Sequence, residues 1–228
     1  MFYKLIIMLS LLSTLIYSKD ISFVYAGVSV KTFDNSGKET RTVVKRNIPE
    51  ICKKVPINNE MVWTGNYANE KVPEVCKSTY VHTTGNLLPI QLEEGITTYG
   101  ELEVLAFLKH MQSDDSLLLI DGRKESWFNY RTIPGAIHIP FHHLKEKDAF
   151  EFEFDTALSI LGVTMDKDQA YSFRQAKTLT IFCNGPWCSQ SVAMITALLA
   201  IGYPAEKINW YRGGMQNWLA AGMTSTRK

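Results

Sequence analysis

The chain has 228 residues, of which 46% are hydrophobic and 21% charged, and its formal net charge at pH 7 is +1. This length suits one large domain or a medium-sized domain with an extension, and the composition is ordinary for a globular protein. No basic stripe runs along the chain, so the sequence disfavours nucleic acid as a partner.

The first residues have the pattern of a secretory signal peptide. Lys4 precedes a short apolar run, and Ser18 is a small residue before the polar pair Lys19 and Asp20. A basic start, an apolar core and a small residue at the cleavage point are the three parts of such a signal. The run is short for a transmembrane helix. We therefore expect residues 1–18 to be removed and the mature chain to be periplasmic or secreted, without a membrane span; an uncleaved anchor is the alternative.

Residues 19–86 are expected to form a small β-rich extension. Two strand-like stretches, 21–33 and 39–45, flank the turn sequence Asp34-Asn-Ser-Gly, which predicts a hairpin. A short repeat follows, because Ile48-Pro-Glu-Ile-Cys-Lys recurs as Val72-Pro-Glu-Val-Cys-Lys. Two copies are too few for a solenoid.

The repeat brings two cysteines into similar settings. We expect Cys52 and Cys76 to form a disulfide, because a small exported segment with little core needs a covalent link. A metal pair and free thiols are the alternatives. The region has no CxxC spacing, so a metal pair is disfavoured.

Residues 87–95 are predicted to be a linker because they contain Pro89 and Gly95. The sequence Thr98-Tyr-Gly-Glu that follows is typical of a capping box at the start of an amphipathic helix. From there to the end, residues 96–228, strand patterns alternate with helical patterns. This alternation predicts an α/β domain with a parallel sheet.

The stretch that begins at Thr178 carries the strongest chemical signal. A β-branched and aromatic strand pattern ends at Cys183, a tight loop with Gly185 and Pro186 follows, and apolar spacing from Ser191 predicts a helix. A thiol between a strand end and a helix N-terminus meets converging N–H groups, which stabilise a thiolate and bind anions. Ligands also bind at the carboxyl ends of parallel strands. A buried structural thiol is the alternative.

Three motifs, in order, resemble the rhodanese family. They are Asp121-Gly-Arg with Ile133-Pro-Gly-Ala, the strand, loop and helix around Cys183, and Gly213-Gly-Met-Gln-Asn-Trp. Together they cover about residues 96–224. The resemblance implies an α/β fold with a five-stranded parallel sheet and helices on both faces. It also implies a sulfurtransferase that carries sulfane sulfur as a persulfide.

By this resemblance Cys183 is the catalytic nucleophile, and no cofactor is implied. The donor is then thiosulfate, a persulfide or a protein thiol carrying sulfur, and the acceptor is a thiol or another nucleophile. The loop after the cysteine would bind substrate through Asn184, Gly185, Pro186, Trp187, Ser189, Gln190 and Ser191.

The loop departs from the family's pattern. It is longer than the usual loop, and Gln190 stands near the place of an arginine that often ends it. Such an arginine would hold phosphate bidentately, so its absence disfavours a phosphatase. Its absence also weakens thiosulfate as the donor. A wider loop with Trp187 favours a bulkier or protein-bound substrate.

Three charged residues are expected to support the site. Asp121 and Arg123 fit a structural ion pair beneath it better than a substrate contact. Arg212, near the end of the last strand pattern, is a candidate for the missing positive charge. His138, His142 and His143 do not match zinc-ligand patterns, and we expect no metal.

Cys188 leaves two hypotheses open. It is a candidate resolving thiol that forms a disulfide with Cys183, or a packing cysteine that never meets it, since spacing alone does not fix the distance between two sulfurs. Two functions therefore stand beside the sulfurtransferase. One is a thiol–disulfide redox protein using both cysteines, and the other is a non-catalytic binding module whose N-terminal extension docks a partner.

Overall fold

The computed structural model describes residues 26–34, 36–45, 47, 49–51, 72–79, 87–166 and 170–227. Its first element is the expected hairpin, formed by β1 (Val28–Phe33) and β2 (Glu39–Val44), which pair antiparallel. The Asp34 carboxylate closes the turn, because it accepts the Ser36 and Lys38 amides at 2.9 and 3.0 Å. The signal-peptide prediction falls outside the described residues.

A five-stranded parallel sheet lies at the centre of the described structure. Its strands are β3 (Thr97–Tyr99), β4 (Leu117–Asp121), β5 (Ile137–His138), β8 (Thr178–Phe182) and β9 (Ile208–Tyr211). They are ordered β3-β9-β8-β4-β5, and every neighbouring pair is parallel. Two short strands, β6 (Thr164–Met165) and β7 (Tyr171–Ser172), pair separately. The predicted sheet is confirmed.

Helices connect the strands and cover both faces of the sheet. They are α1 (Glu101–Met111), α2 (Glu125–Tyr130), α3 (Phe141–Lys145), α4 (Glu151–Ile160), α5 (Gln190–Ala200) and α6 (Gly214–Ala220). Short 3-10 turns occur at Glu74–Thr79, Lys147–Ala149 and Ala205–Lys207.

Each face of the sheet has its own core, because successive side chains of a strand point to opposite faces. Leu179 and Ile181 of β8 pack with buried residues of α3, α4 and α5 on one face. Phe182 of β8 belongs to the other core, with α1, α6 and the hairpin. Strands buried on both faces explain the continuous apolar runs in the sequence.

The hairpin shares the second core. Val30 and Val44 are fully buried there, and the hairpin also bonds to the end of the chain. The Thr224 amide donates to the Lys45 carbonyl at 2.8 Å, and the Asn47 amide donates to the Gly222 carbonyl at 2.5 Å. The hairpin therefore packs on the α/β unit as part of its core.

Helix α1 begins at a different residue from the predicted capping box. Thr98 lies in β3, opposite Trp210 of β9, and its hydroxyl bonds to the Ile90 carbonyl. Gly100 is the N-cap, and its amide donates to the Glu103 carboxylate at 3.1 Å. The prediction for Thr98 was wrong, because pairing with β9 extends the strand through the residues assigned to the cap.

Candidate active site

Cys183 directly follows β8 at the carboxyl edge of the sheet. Asp121 ends β4 and His138 ends β5 at the same edge, because the strands are parallel. Helix α5 begins at Gln190, and no side chain caps its first turn. The first-turn amides are therefore free to meet the loop that precedes them, where they attract negative charge.

The loop after Cys183 folds back on itself. The Cys188 amide donates to the Gly185 carbonyl at 2.9 Å, which closes a turn over Pro186 and Trp187. Proline is favoured at the second position of such a turn, because its φ is already set. The Trp187 indole N–H donates to Gln216 Oε1 at 2.6 Å, so the indole is tied to helix α6.

Helix α6 supports the loop through backbone contacts. The Met215 amide donates to the Cys183 carbonyl at 3.0 Å, and the Gln216 amide donates to the Asn184 carbonyl at 2.8 Å. Gly214 has φ +53°, and a Cβ there would lie 2.3 Å from the Cys183 carbonyl oxygen. Only glycine allows this approach, which explains part of the Gly-Gly motif.

The Cys183 thiol is buried, with 2% of the residue exposed. It donates to the Cys188 carbonyl at 3.1 Å and accepts the Ser191 hydroxyl at 3.1 Å. Ser191 Oγ in turn accepts the Trp210 indole N–H at 3.0 Å, so its own proton points toward the sulfur. Burial and the contact with Cys188 raise the pKa of Cys183 well above its ordinary value, and the Ser191 hydroxyl and amide oppose this.

The pKa of Cys188 is shifted in the opposite direction. A hydrogen bond from the Cys183 thiol lowers the pKa of Cys188 to about 6, and the Gln190 and Asn184 amides and the Arg123 charge act in the same direction. Burial of Cys188 opposes these contributions. The two thiols form one interacting pair, and the first negative charge of that pair falls on Cys188. Cys183 and Cys188 are both free cysteines.

Arg123 ties the loop to the sheet from below. Its guanidinium donates to both oxygens of Asp121, at 2.9 and 2.7 Å, and to Asn184 Oδ1 at 3.1 Å. It also donates to the Arg131 carbonyl, and Thr132 donates to Asp121 at 2.8 Å. Asp121 and Arg123 are 0% and 2% exposed. This geometry agrees with the ion pair expected from the sequence.

Arg212 holds the linker against the loop. Its guanidinium donates to the Leu88 carbonyl at 2.6 and 3.1 Å and to the Pro89 carbonyl at 2.9 Å. The Leu88 amide donates to the Pro186 carbonyl at 2.8 Å. Nε and Nη2 of Arg212 therefore both bind the backbone of residues 88–89.

The remaining loop residues differ in how they face solvent. Asn184 is buried and bonded to Arg123, whereas Ser189 is exposed. Gln190 Oε1 is buried and, within the described structure, has no hydrogen-bond partner. Ser191 lies beneath the thiol and has no exposed surface. The structure thus gathers the predicted loop residues around the two sulfurs but turns them in different directions.

A separate cavity of about 470 Å³ lies along α3 and α4. The three histidines considered from the sequence line it together with Glu125 and Glu153. His138 Nε2 donates to the Arg123 carbonyl at 2.8 Å, and its ring stacks on Phe128. Within the described residues, no group of three or more His, Cys, Asp or Glu is placed to hold a metal ion.

Three contributions to the site are not evident in the sequence. Trp210 lies in β9 and orients Ser191, Gln216 lies in α6 and holds Trp187, and Leu88 lies in the linker. Trp210 and Gln216 lie in or near the Gly-Gly motif, but a motif does not show which side chains meet. Leu88 carries no sequence signal, because it acts through its backbone.

Two further findings concern the expected disulfide and membrane-spanning helices. Cys76 is disulfide-bonded, and Cys52 lies outside the described residues, so their pairing stays a prediction. Among the helices of the described residues, none has the length and apolar character needed to cross a membrane.

The family model of the rhodanese-like domain matches residues 104–221. The chain belongs to the rhodanese-like domain family. The matched segment of this rhodanese-like chain contains both free cysteines, the Asp121–Arg123 pair and Arg212. The resemblance described above for residues 96–224 is therefore confirmed at the level of the family. No curated protein matches the chain.

Several solved structures are similar to this rhodanese-like chain. Rhodanese with anions from E. coli is 23% identical, with 49% of this chain and 99% of that chain covered and a TM-score of 0.31. An uncharacterized protein from Saccharomyces cerevisiae is 23% identical, with 56% and 93% covered and a TM-score of 0.39. Thiosulfate sulfurtransferase from Pseudomonas aeruginosa is 19% identical, with 60% and 21% covered and a TM-score of 0.40.

Proposed function

We propose that this protein is a sulfurtransferase in which Cys183 takes sulfane sulfur from a donor and passes it to a nucleophilic acceptor. One observation carries the proposal: the Cys183 sulfur accepts a buried hydroxyl that is itself oriented by the Trp210 indole. A hydroxyl bonded in this way stabilises negative charge on sulfur, and a thiolate is the nucleophile that sulfur transfer needs.

The first step follows from the contact between the two thiols. Cys188 carries the first negative charge of the pair, and the Cys183 thiol hydrogen-bonds to it. As Cys183 attacks the outer sulfur of a donor persulfide, its proton passes to the Cys188 sulfur and the donor leaves as a thiol or thiolate.

The placement of the cations favours a persulfide over thiosulfate as the donor. Arg123 is committed to Asp121 and Asn184, and Arg212 is committed to the backbone at Leu88 and Pro89. Gln190 is neutral where a cation would hold an oxyanion. Thiosulfate, a dianion, therefore gains little binding free energy at this loop. A persulfide on a small thiol or a protein needs no such cation.

The test is the intact mass of the protein before and after exposure to glutathione persulfide. The wild type should react at Cys183, Cys188→Ser should react there more slowly because it lacks the proton acceptor, and Cys183→Ala should gain no sulfur there. A chain whose mass never changes and whose cysteines both tolerate substitution would instead be a non-catalytic module of the family. In that case the useful experiment is capture of a partner by the N-terminal extension.

The proposal includes export to the periplasm or the medium. Its support is the basic, apolar and small-residue pattern of residues 1–18. Mass spectrometry of the protein recovered from an exported fraction should show a chain that begins after Ser18. Recovery of a chain beginning at Met1 in the membrane fraction would contradict this part of the proposal.

A further inference from the structure

The two sulfurs of the loop are neighbours in space as well as in sequence. The Cys183 thiol donates to the Cys188 carbonyl at 3.1 Å, so Cys188 packs directly against the Cys183 sulfur. The turn closed by the Cys188 amide and the Gly185 carbonyl brings this about, because it reverses the loop. Close approach of the two residues is the first requirement for a disulfide.

The surroundings of the pair place Cys188 beside anything bound at Cys183. Ser191 and the Cys188 carbonyl contact the Cys183 sulfur, and the two cysteines are only 2% and 5% exposed. A sulfur added to Cys183 is therefore formed next to Cys188. An external acceptor has less access to it than Cys188 has.

The loop also favours charge on the second sulfur. The amides of Gln190 and Asn184 and the buried Arg123 guanidinium all stabilise a Cys188 thiolate. A thiolate is the form that attacks a sulfur–sulfur bond, and hydrosulfide is a good leaving group for such an attack.

Resting on the persulfide proposed above, we infer that Cys188 resolves it by forming a Cys183–Cys188 disulfide and releasing hydrosulfide. Cys188 first releases to solvent the proton that it took from Cys183. Its thiolate then attacks Cys183 Sγ, and the bond between Cys183 Sγ and the outer sulfur breaks. The electron pair of that bond leaves on the outer sulfur as HS⁻. The sulfane sulfur is reduced to sulfide, and the two cysteines are together oxidised by two electrons.

Turnover then requires a thiol reductant, such as a dithiol. A dithiol attacks the Cys183–Cys188 disulfide, is itself oxidised to a disulfide, and returns both cysteines to thiols. The net reaction converts one persulfide and one dithiol into one thiol, one hydrosulfide and one disulfide. The second substrate is therefore a thiol reductant, and hydrosulfide is a product.

Attack on the outer sulfur is the competing route. It would move the sulfane sulfur from Cys183 to Cys188 and leave no disulfide. The chain allows the two routes to be told apart, because Trp187 lies directly before Cys188. Chymotrypsin cleaves after tryptophan, so a digest places the two cysteines in separate peptides unless a disulfide joins them.

The experiment is a single turnover of the full chain with one equivalent of glutathione persulfide and no other reductant. Released sulfide is trapped with monobromobimane, free thiols are alkylated, and the unfolded protein is digested without reduction. The matched control is Cys188→Ser, which reports any sulfide that the donor's own thiol releases. Cys188→Ala is used in its place if the serine variant does not fold.

We expect the wild type to release about one hydrosulfide per chain and to yield the two peptides joined by a disulfide. We expect Cys188→Ser to keep its persulfide on the Cys183 peptide and to release about tenfold less sulfide. A wild-type persulfide that persists at Cys183, or sulfur found on the Cys188 peptide, overturns the inference but leaves the proposed sulfurtransferase standing. Absence of sulfur from Cys183 in both proteins, with no disulfide formed, overturns both.

Discussion

Which of the two loop sulfurs carries negative charge depends on the hydrogen-bond donors that surround each one. The Cys183 sulfur meets one oriented hydroxyl and one amide, both from Ser191, whereas Cys188 meets amides from two residues, a thiol donor and a nearby cation. Hydrogen bonds to the charged form of a group lower the pKa of an acid, and burial raises it. The balance differs at the two sulfurs, so a single proton is released first and the charge settles on Cys188.

Ser191→Ala should weaken both the chemistry and the fold. The change removes the hydroxyl that lowers the pKa of Cys183, so alkylation and sulfur uptake at Cys183 should slow at neutral pH. It also leaves the buried Trp210 N–H unpaired, which costs about 1–3 kcal/mol in the free energy of unfolding. Urea unfolding and alkylation rates measure the two effects.

The control for Ser191→Ala is Ser159→Ala, at an exposed position of α4. Its unfolding free energy should change by less than about 0.5 kcal/mol. Equal stability of the two variants would contradict the described bond between Trp210 and Ser191.

Stability should depend on pH through Cys188. Its pKa in the folded chain is about 6, below its ordinary value of 9.0. Between these values the unfolded chain binds a proton that the folded chain does not, so the unfolding free energy rises with pH. This contribution is fully present above the ordinary value and is lost as pH falls through 6. The raised pKa of Cys183 acts in the other direction, at higher pH.

The measurement for this pH dependence is urea unfolding from pH 6 to pH 9 in the absence of oxygen, for the wild type and Cys188→Ser. The wild type should gain stability with pH more steeply than the variant across this window. Parallel curves would show that the Cys188 thiol titrates at its ordinary value.

Among the elements, helix α6 and the linker determine the shape of the loop. The first amides of α6 bond to the carbonyls of Cys183 and Asn184, and the linker amide of Leu88 bonds to the Pro186 carbonyl. The loop is therefore held by elements that are distant in sequence. A change in the distance between α6 and the loop is therefore expected to move the two sulfurs relative to each other.

Gly214→Ala should show this effect. The Gly214 φ of +53° is unfavourable for alanine, and the new Cβ would meet the Cys183 carbonyl oxygen at 2.3 Å. Adopting the left-handed conformation costs about 1–2 kcal/mol, and the clash adds to this cost. We expect a larger loss of unfolding free energy than that cost alone, and altered thiol alkylation rates.

Gly37→Ala is the matched control for Gly214→Ala. Gly37 also has a positive φ, of +79°, but a Cβ there meets no atom within 4 Å. Its cost should be that of the backbone alone, about 1–2 kcal/mol, with thiol reactivity unchanged. If the two variants lose the same stability, the contact between α6 and the loop is looser than described.

For the molecule as a whole, the hairpin and the α/β unit are joined through one core. Val28, Val30 and Val44 pack in the same cluster as α1 and Phe182 of the central strand. The core on that face of the sheet is completed by residues from near the start of the described chain. Unfolding of the hairpin is therefore expected to expose part of the α/β core.

Val30→Ala should destabilise the whole fold. Val30 is fully buried. Burial of a valine side chain contributes about 1.5–3 kcal/mol to the free energy of unfolding, and alanine loses most of this contribution. We expect one cooperative thermal transition at a lower temperature, monitored by tryptophan fluorescence, to which the buried Trp210 and Trp218 contribute. Val43→Ala, at a position 47% exposed in the same hairpin, should change little. Two separate transitions would show that the hairpin folds independently.

The class of fold and the position of the chemistry could be predicted from the sequence. Apolar strand patterns at 117–120 and 178–182 reflect burial on both faces of a sheet, and that burial constrains each residue locally. The hairpin was predictable for the same reason, because the turn chemistry at Asp34 acts within a few residues. The position of Cys183 between a strand and a helix was also visible, since it depends only on neighbours along the chain.

The contacts that assemble the site could not be predicted from the sequence, because they depend on the tertiary structure. Three such contacts join residues far apart in sequence. Thr98 of β3 pairs with β9, Trp210 bonds to Ser191, and Arg212 bonds to the linker backbone. The same holds for the different pKa shifts of Cys183 and Cys188, which depend on amides and charges brought in by α5 and β4. Spacing along a chain does not fix distances through space, so these contacts follow only from the packed fold.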